Sequence, residues 1–200
     1  MKLMILDLDG TLRETASGET FINEPADQQP MLGASEALAY YGKGFVCVGA
    51  TNQGGCAAID PATGKPRKSI ENMIQEQQIT LKLFPQLECI YACPDFEGEV
   101  CWKINRLGSV KLTRSISRES AKYDSFRKPG GGMAQIAIET FGEVGGETWM
   151  IGDRPEDKGC AETAKINFMW ADIVRNKFIP GEHEQIIHID REVLLKFLAI

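Results

Sequence analysis

Lys2-Leu3-Met4-Ile5-Leu6-Asp7-Leu8-Asp9-Gly10-Thr11-Leu12 is the stretch on which the reading of this chain turns. An unbroken apolar run from Leu3 to Leu6 gives way to two aspartates two positions apart. A strand without polar alternation is buried on both faces, as in a parallel sheet covered by helices. The rest of the chain repeats that grammar. Ala34, Ala37, Leu38 and Tyr41 fall at i, i+3, i+4 and i+7, which predicts a helix. Phe45 to Ala50 reads as a second strand. Ser69 to Phe84 reads as a helix with Ile70, Met73, Ile74, Gln77 and Leu81 on one side. Leu87 to Ala92 is a third strand, and Met133, Ile136, Ala137 and Thr140 mark a helix. Thr148 to Ile151 is a fourth strand, Pro155 suits the first turn of the next helix, and Ile166 to Ala171 is a fifth strand. The tail from Gln185 predicts a short strand, Ile186 to Ile189, and a final helix. The predicted fold is α/β: a Rossmann-like parallel sheet of about five strands with helices on both faces.

Composition agrees. The 200 residues are 43% hydrophobic and 25% charged, ordinary values for one globular domain, which excludes a disordered, collagen-like or coiled-coil chain. The longest apolar stretches, Phe45 to Ala50 and the tail from Val193 that Lys196 interrupts, fall short of the ~20 residues that cross a bilayer. The first residues reach two aspartates by Asp9 and do not read as a signal peptide. Six cysteines are too few for a disulfide scaffold. Cys47 and Cys160 sit in apolar runs as small apolar groups, and Cys89, Cys93 and Cys101 read as unpaired thiols. The expected setting is therefore the reducing cytoplasm, with no membrane and no obligate protein partner. Twenty-two basic and 28 acidic residues give a net charge of -6, which argues against non-specific binding to nucleic acid. Against that sum, the segment from Lys103 to Lys128 carries eight basic residues and only two acidic ones, Glu119 and Asp124.

In open parallel sheets ligands bind beyond the carboxyl ends of the strands, and the polar signatures of this chain fall there. Asp7 and Asp9 follow the first strand, Thr51 the second and Asp153 the fourth. Two carboxylates so close repel unless a cation or a shared proton intervenes. With Asp153 they form a set of hard oxygens suited to Mg2+, which binds one or two carboxylates together with substrate phosphate. Thr51 offers a hydroxyl, the turn from Asn52 offers backbone N–H groups to an anion, and Lys128 precedes a helix start and offers a point charge.

Four stretches, in order, resemble the four motifs of the haloacid dehalogenase (HAD) superfamily: Asp7-Leu8-Asp9-Gly10-Thr11-Leu12, Thr51-Asn52-Gln53, Lys128-Pro129, and Gly152-Asp153-Arg154-Pro155-Glu156-Asp157. The resemblance spans about residues 3 to 170. It implies a phosphohydrolase in which Asp7 is the nucleophile and Asp9 the general acid and base. It implies Mg2+ held by Asp7, the Asp9 carbonyl and Asp153, with Asp157 supporting the metal's water shell or orienting Lys128. Thr51, Asn52 and Lys128 would bind the transferring phosphoryl group.

The Thr-Asn-Gln motif and Arg127-Lys128-Pro129 resemble the cap-less subfamily of histidinol-phosphate phosphatases, heptose-bisphosphate phosphatases and polynucleotide 3′-phosphatases. Residues 94–127 leave no room for a large cap domain, so they are expected to form a substrate-facing loop in a single domain spanning 1–200, with 181–200 as a C-terminal extension. An open site can admit the end of a polymer, here a nucleic-acid 3′ end, so the expected activity is that of a polynucleotide 3′-phosphatase. The alternatives are a small-molecule phosphatase acting on a sugar phosphate or histidinol phosphate, and a non-catalytic phosphate-binding module. The segment Thr15-x-Ser17-Gly18-x-x-Phe21, followed by Asp27, resembles the polynucleotide enzymes, and the basic 103–128 run and Trp102 supply phosphate- and base-binding chemistry. Arg127 and Arg154 are candidate substrate contacts. The small-molecule relatives carry a zinc loop of the type Cys-x-His followed by Cys-x-Cys; here Cys93-Pro94-Asp95 places an aspartate at the His position, and Tyr123 to Phe126 hold no Cys. His183 and His188 lie outside every motif.

Overall fold

The computed structural model describes residues 2–114, 123–143, 146–181 and 191–199. Strand β1 (Lys2–Leu6) leads into a turn and a two-residue ribbon, β2 (Arg13–Glu14) with β3 (Gln29–Pro30). There follow α1 (Ala34–Tyr41), β4 (Phe45–Asn52), α2 (Ile70–Leu83), β5 (Leu87–Cys93), β6 (Val100–Asn105) and β7 (Gly108–Thr113). The chain continues through α3 (Gly132–Phe141), β8 (Thr148–Gly152), α4 (Pro155–Ala164), β9 (Asn167–Trp170), α5 (Ala171–Asn176) and α6 (Arg191–Leu198).

The main sheet has seven strands in the order β7-β6-β5-β4-β1-β8-β9, so the expectation of about five needs correction. The five expected strands form its parallel part, and β6 and β7 add an antiparallel hairpin beyond β5. This hairpin occupies much of the stretch read as a substrate-facing loop. Residues 186–189, read as a strand, lie outside the described residues.

Residues along β1 alternate between two cores, which is the physical content of its unbroken apolar run. Met4 and Leu6 join Leu38, Tyr41, Met73, Leu81 and Phe197 on the face covered by α1, α2 and α6. Leu3 and Ile5 join Met133, Ala137, Cys160 and Ala161 on the face covered by α3 and α4. Phe197 packs edge-on against Trp149, with ring centroids 5.1 Å apart, so the C-terminal helix is part of the core. Helix α2 begins where the Ser69 side chain accepts the Asn72 N–H at 3.0 Å. It stops before Pro85, which disfavours helical backbone at the residue preceding it.

Strand β1 lies between β4 and β8, with Leu6 level with both Gly49 and Ile151. The chain segments leaving these three neighbours therefore emerge side by side. That register, rather than any local motif, brings three distant parts of the sequence together.

Candidate active site

A cleft of about 760 Å³ opens beyond those strand ends. Asp7, Asp9, Thr51, Asn52, Arg127, Lys128, Arg154 and Asp157 line it. Asp153 sits at its edge, where Thr11 donates a hydroxyl hydrogen bond to Asp153 Oδ1 at 3.3 Å. One carboxylate oxygen each from Asp7, Asp153 and Asp157 lie within 4.8 Å of one another.

The floor is buried. Lys128 Nζ meets Asp7 Oδ1 at 2.5 Å, Asp157 Oδ1 at 2.6 Å and the Ala50 carbonyl at 2.8 Å. These three acceptors match the three N–H donors of an ammonium, so Lys128 is the counter-ion of the acidic cluster. Burial alone would lower its pKa; Asp7 and Asp157 outweigh burial and raise it. Burial pushes Asp7 up to about 7 against the pull of Lys128, with Asp157 and Asp9 adding to the rise. Asp153 is also raised, first by burial and then by repulsion from Asp157.

Asp157 is engaged on both sides, since its other oxygen accepts the Arg154 backbone N–H at 3.0 Å at the start of α4. A Cβ on Gly152 would lie 2.3 Å from Asp157 Cβ, so only glycine lets the two approach. Asp157 thus braces Lys128 and the helix start, and Asp7 with Asp153 are the better placed pair for an ion. Two carboxylates with room for water match the donor set that Mg2+ takes.

Asp9 turns away from this cluster. Its Oδ1 receives Arg13 Nε at 2.9 Å and its Oδ2 receives Gln53 Nε2 at 3.2 Å. Burial would raise its pKa, but Arg13, together with Lys68 and Lys128, outweighs burial and lowers it. Gln53 also donates to Thr51 Oγ1 at 3.1 Å. Asn52, expected to face phosphate, spends its side chain on the backbone of Lys128.

At the mouth, the guanidinium carbon of Arg127 lies 5.2 Å over the Phe96 ring. The Arg154 side chain is 65% exposed, 3.9 Å from Asp153. Phe21 and Arg67 line the rim. Ser17 and Asp27 close their own loop through hydrogen bonds of 2.8 and 2.6 Å, which sets the segment carrying Phe21.

The described basic residues of the 103–128 run point in different directions. Lys103 lies 4.9 Å over the Phe141 ring, Arg106 donates to the carbonyls of Leu81 and Pro85, and Arg114 pairs with Glu99 at 2.8 Å. Of its described basic residues only Arg127 and Lys128 line the cleft. Trp102 packs on the hydrophobic core rather than at the cleft. Arg118, Lys122, His183 and His188 lie outside the described residues. Asp95, at the His position of the zinc pattern, accepts three backbone N–H groups, from Gly98 at 2.6 Å, Glu99 at 3.1 Å and Val100 at 2.8 Å. Cys47 and Cys93 are buried thiols, and burial pushes both up to about 12.

Fold and site together define a phosphoric monoester hydrolase of the HAD superfamily. The chain matches the family model described as polynucleotide kinase 3 phosphatase over residues 2–178 and belongs to that family. It is 25% identical over 162 residues to the D-glycero-beta-D-manno-heptose-1,7-bisphosphate 7-phosphatase of Neisseria meningitidis serogroup A, covering 78% of this chain and 70% of the relative. Among solved structures, a D,D-heptose 1,7-bisphosphate phosphatase from B. bronchiseptica, complexed with magnesium and phosphate, superposes with a TM-score of 0.56 at 19% identity, over 84% of this chain and 79% of that one. A HAD-like phosphatase from Mesorhizobium loti gives a TM-score of 0.64 at 18% identity, over 100% of this chain and 85% of its own. Among the described residues no helix is long and apolar enough to cross a membrane.

Three residues of the site, Arg13, Lys68 and Glu76, lie outside all four motifs, and Thr11 lies within the first of them with no role assigned by it. A signal for Glu76 does exist. Met73, Glu76, Gln77, Thr80 and Leu81 share the buried side of α2, and three polar residues in a helix stripe that should be apolar mark a polar interior partner.

Proposed function

We propose that the chain is a Mg2+-dependent phosphomonoester hydrolase that works through an aspartyl-phosphate on Asp7 and takes a small substrate with a second anionic group, such as a sugar bisphosphate. The observation that carries this reading is the convergence of the Asp7, Asp153 and Asp157 oxygens within 4.8 Å, beside Asp9 and above Lys128.

A carboxylate oxygen of Asp7 attacks phosphorus and the bond to the leaving oxygen breaks. Asp9, which Arg13 holds ionised at rest, has to be protonated first and gives that proton to the leaving oxygen. Asp9 then takes a proton from water, which attacks the phosphorus and frees inorganic phosphate and the Asp7 carboxylate. Lys128 and the Thr51 hydroxyl face the charge on the equatorial oxygens. Asp7, Asp153 and the Asp9 carbonyl would hold Mg2+, which when bound neutralises phosphoryl charge. Arg127, Arg154 and Arg67 at the mouth suit an anion distant from the reacting one. The heptose-bisphosphate relatives, and the dispersal of the described basic residues of 103–128, favour a small substrate over a polynucleotide 3′ end.

The test is a panel of sugar phosphates, sugar bisphosphates, histidinol phosphate and 3′-phosphorylated oligonucleotides. Phosphate release is expected with Mg2+, lost on chelation and lost in Asp7→Asn, with sugar bisphosphates the best substrates. Faster turnover of the oligonucleotide would transfer the assignment to nucleic-acid ends. No release from any member would overturn the hydrolase reading.

A further inference from the structure

A second cluster of buried charge lies behind the site, centred on Arg13, and the reaction outlined above does not use it. Arg13 is fully buried. Its Nε holds Asp9, its Nη2 meets Glu76 Oε1 at 2.6 Å, and its Nη1 is shared by Gln28 Oε1 at 3.1 Å and the Thr80 hydroxyl. The other Glu76 oxygen meets Lys68 Nζ at 2.5 Å, and Lys68 donates to Gln53 Oε1 at 3.1 Å. Gln53 returns to Asp9 and Thr51 at 3.2 and 3.1 Å. The circuit therefore closes: Asp9, Arg13, Glu76, Lys68, Gln53 and back to Asp9.

Arg and Glu are almost never fully buried unless paired, and a buried ion pair adds little stability over apolar packing. The geometry offers a reason for keeping one here. The Asp9 side chain is 43% exposed at the cleft, so its own surroundings do not fix it. Both of its oxygens are instead gripped, one by Arg13 and the other by Gln53. Arg13 and, through Lys68, Gln53 each depend on Glu76. Proton transfer demands a carboxylate within hydrogen-bond reach of the leaving oxygen, and small misplacements are costly.

We infer that Glu76 of α2 is a positioning residue: through the Arg13 and Lys68–Gln53 arms it sets the orientation in which the Asp9 carboxylate delivers its proton. Glu76 itself touches no reacting atom. The inference rests on Asp9 being the general acid of the proposed hydrolase, and Glu76 lies outside every motif that supports that role.

The leaving group provides the test. An alkyl phosphate needs a proton as it departs, whereas p-nitrophenolate leaves without one at neutral pH. In Glu76→Gln, kcat/KM on an alkyl phosphate such as a sugar phosphate should fall by at least about tenfold, part of the ~10²–10⁴ that a general acid contributes. On p-nitrophenyl phosphate it should fall by less than about threefold, since that substrate bypasses the proton. Equal losses on both substrates, or no loss on either, would overturn the inference, because a merely structural residue has no preference among leaving groups. Circular dichroism checks folding. Should Glu76→Gln not fold, Thr80→Val, which removes a hydroxyl accepting from Arg13 and keeps the shape, decides by the same ratio. Wild-type protein inactive on both substrates with Mg2+ would sink the hydrolase reading instead, so the two failures are distinguishable.

Discussion

Asn52 and Lys128 exchange two hydrogen bonds: Asn52 Nδ2 donates to the Lys128 carbonyl and Asn52 Oδ1 accepts the Lys128 N–H, each at 3.0 Å. An amide is the side-chain group that offers a donor and an acceptor at once, so Asn52 fixes the backbone that carries the ammonium. In Asn52→Asp the N–H bond survives, but a second oxygen faces the Lys128 carbonyl. We expect a loss of about 1–3 kcal/mol in stability, the penalty for an unsatisfied or repelling buried pair. Lys128 should shift away from Asp7 and Asp157, so kcat should fall more than KM changes. Chemical denaturation and steady-state kinetics check both. A change in KM alone would mean that Asn52 contacts substrate and that its bonds to Lys128 are incidental.

Asp7 leads to a pH prediction with a definite sign. Its pKa is raised from 3.8 to about 7, chiefly by burial. Between those values the folded, metal-free protein binds more protons than the unfolded chain, so this group's contribution is present below about pH 4 and is lost as pH rises through about 7. In chelator, Asp7→Asn should therefore be more stable than wild type, by a margin that widens up to about pH 7 by at most about 1.4 kcal/mol per pH unit. Mg2+ competes with the same proton. Its affinity should weaken about tenfold for each unit that pH falls below about 7, since a ligand must lose its proton to bind. Thermal melts of both proteins across pH, with and without Mg2+, provide the check. A pH-independent Mg2+ affinity would place the ion away from Asp7.

Why the sequence revealed some of this and not the rest follows from particular residues. Leu3 to Leu6 and Val48 to Ala50 announce buried parallel strands because both of their faces are apolar, and the strand ends then locate Asp7, Thr51 and Asp153. Strand β6 conceals itself. Cys101 and Ile104 are buried while Lys103 and Asn105 are only half so, which breaks both the apolar run and the strict alternation. The basic excess of the same segment suggests a binding surface, yet charge counted along a chain does not say which way each side chain points. Helix α5 is too short, six residues, to establish a period. Asn52 shows the limit for roles: its partner lies 76 positions away, and a turn facing phosphate has the same local sequence as a turn bracing Lys128. Arg13 and Glu76 are separated by 63 positions, and their pairing follows only from where α2 packs.

Asp95 leads to a prediction about the cleft mouth. One carboxylate accepts three backbone N–H groups and so holds the turn that carries Phe96 and faces Arg127. Asp95→Ala leaves those donors without acceptors, at about 1–3 kcal/mol for each one kept from water. The turn should loosen while the floor at Asp7 and Lys128 stays intact. KM for a bisphosphate should rise about tenfold, equivalent to about 1.4 kcal/mol of binding, with kcat within about twofold. Backbone hydrogen exchange across residues 96–100 should speed up in parallel. A fall in kcat with unchanged KM would separate Asp95 from substrate capture.

Gly10 tests the ion site without touching a ligand. Its φ is +87°, and a Cβ there would lie 2.3 Å from Asp153 Oδ2. Both facts oppose any side chain, but they act on different observables. The left-handed backbone costs an L-residue about 1–2 kcal/mol in stability. The clash is met by turning Asp153 aside, since the atom in the way is the end of a side chain rather than backbone. That movement draws Asp153 away from Asp7 and from the Thr11 hydroxyl, so Gly10→Ala should bind Mg2+ at least about tenfold more weakly, in line with the 10–100-fold typical when support for a ligand is lost. Isothermal titration with Mg2+ and a thermal melt of the metal-free protein separate the two effects. A melt lowered with Mg2+ affinity unchanged would remove Asp153 from the ion's coordination. Loss of affinity in a variant that still folds, its stability lowered by no more than that backbone cost, would place it there.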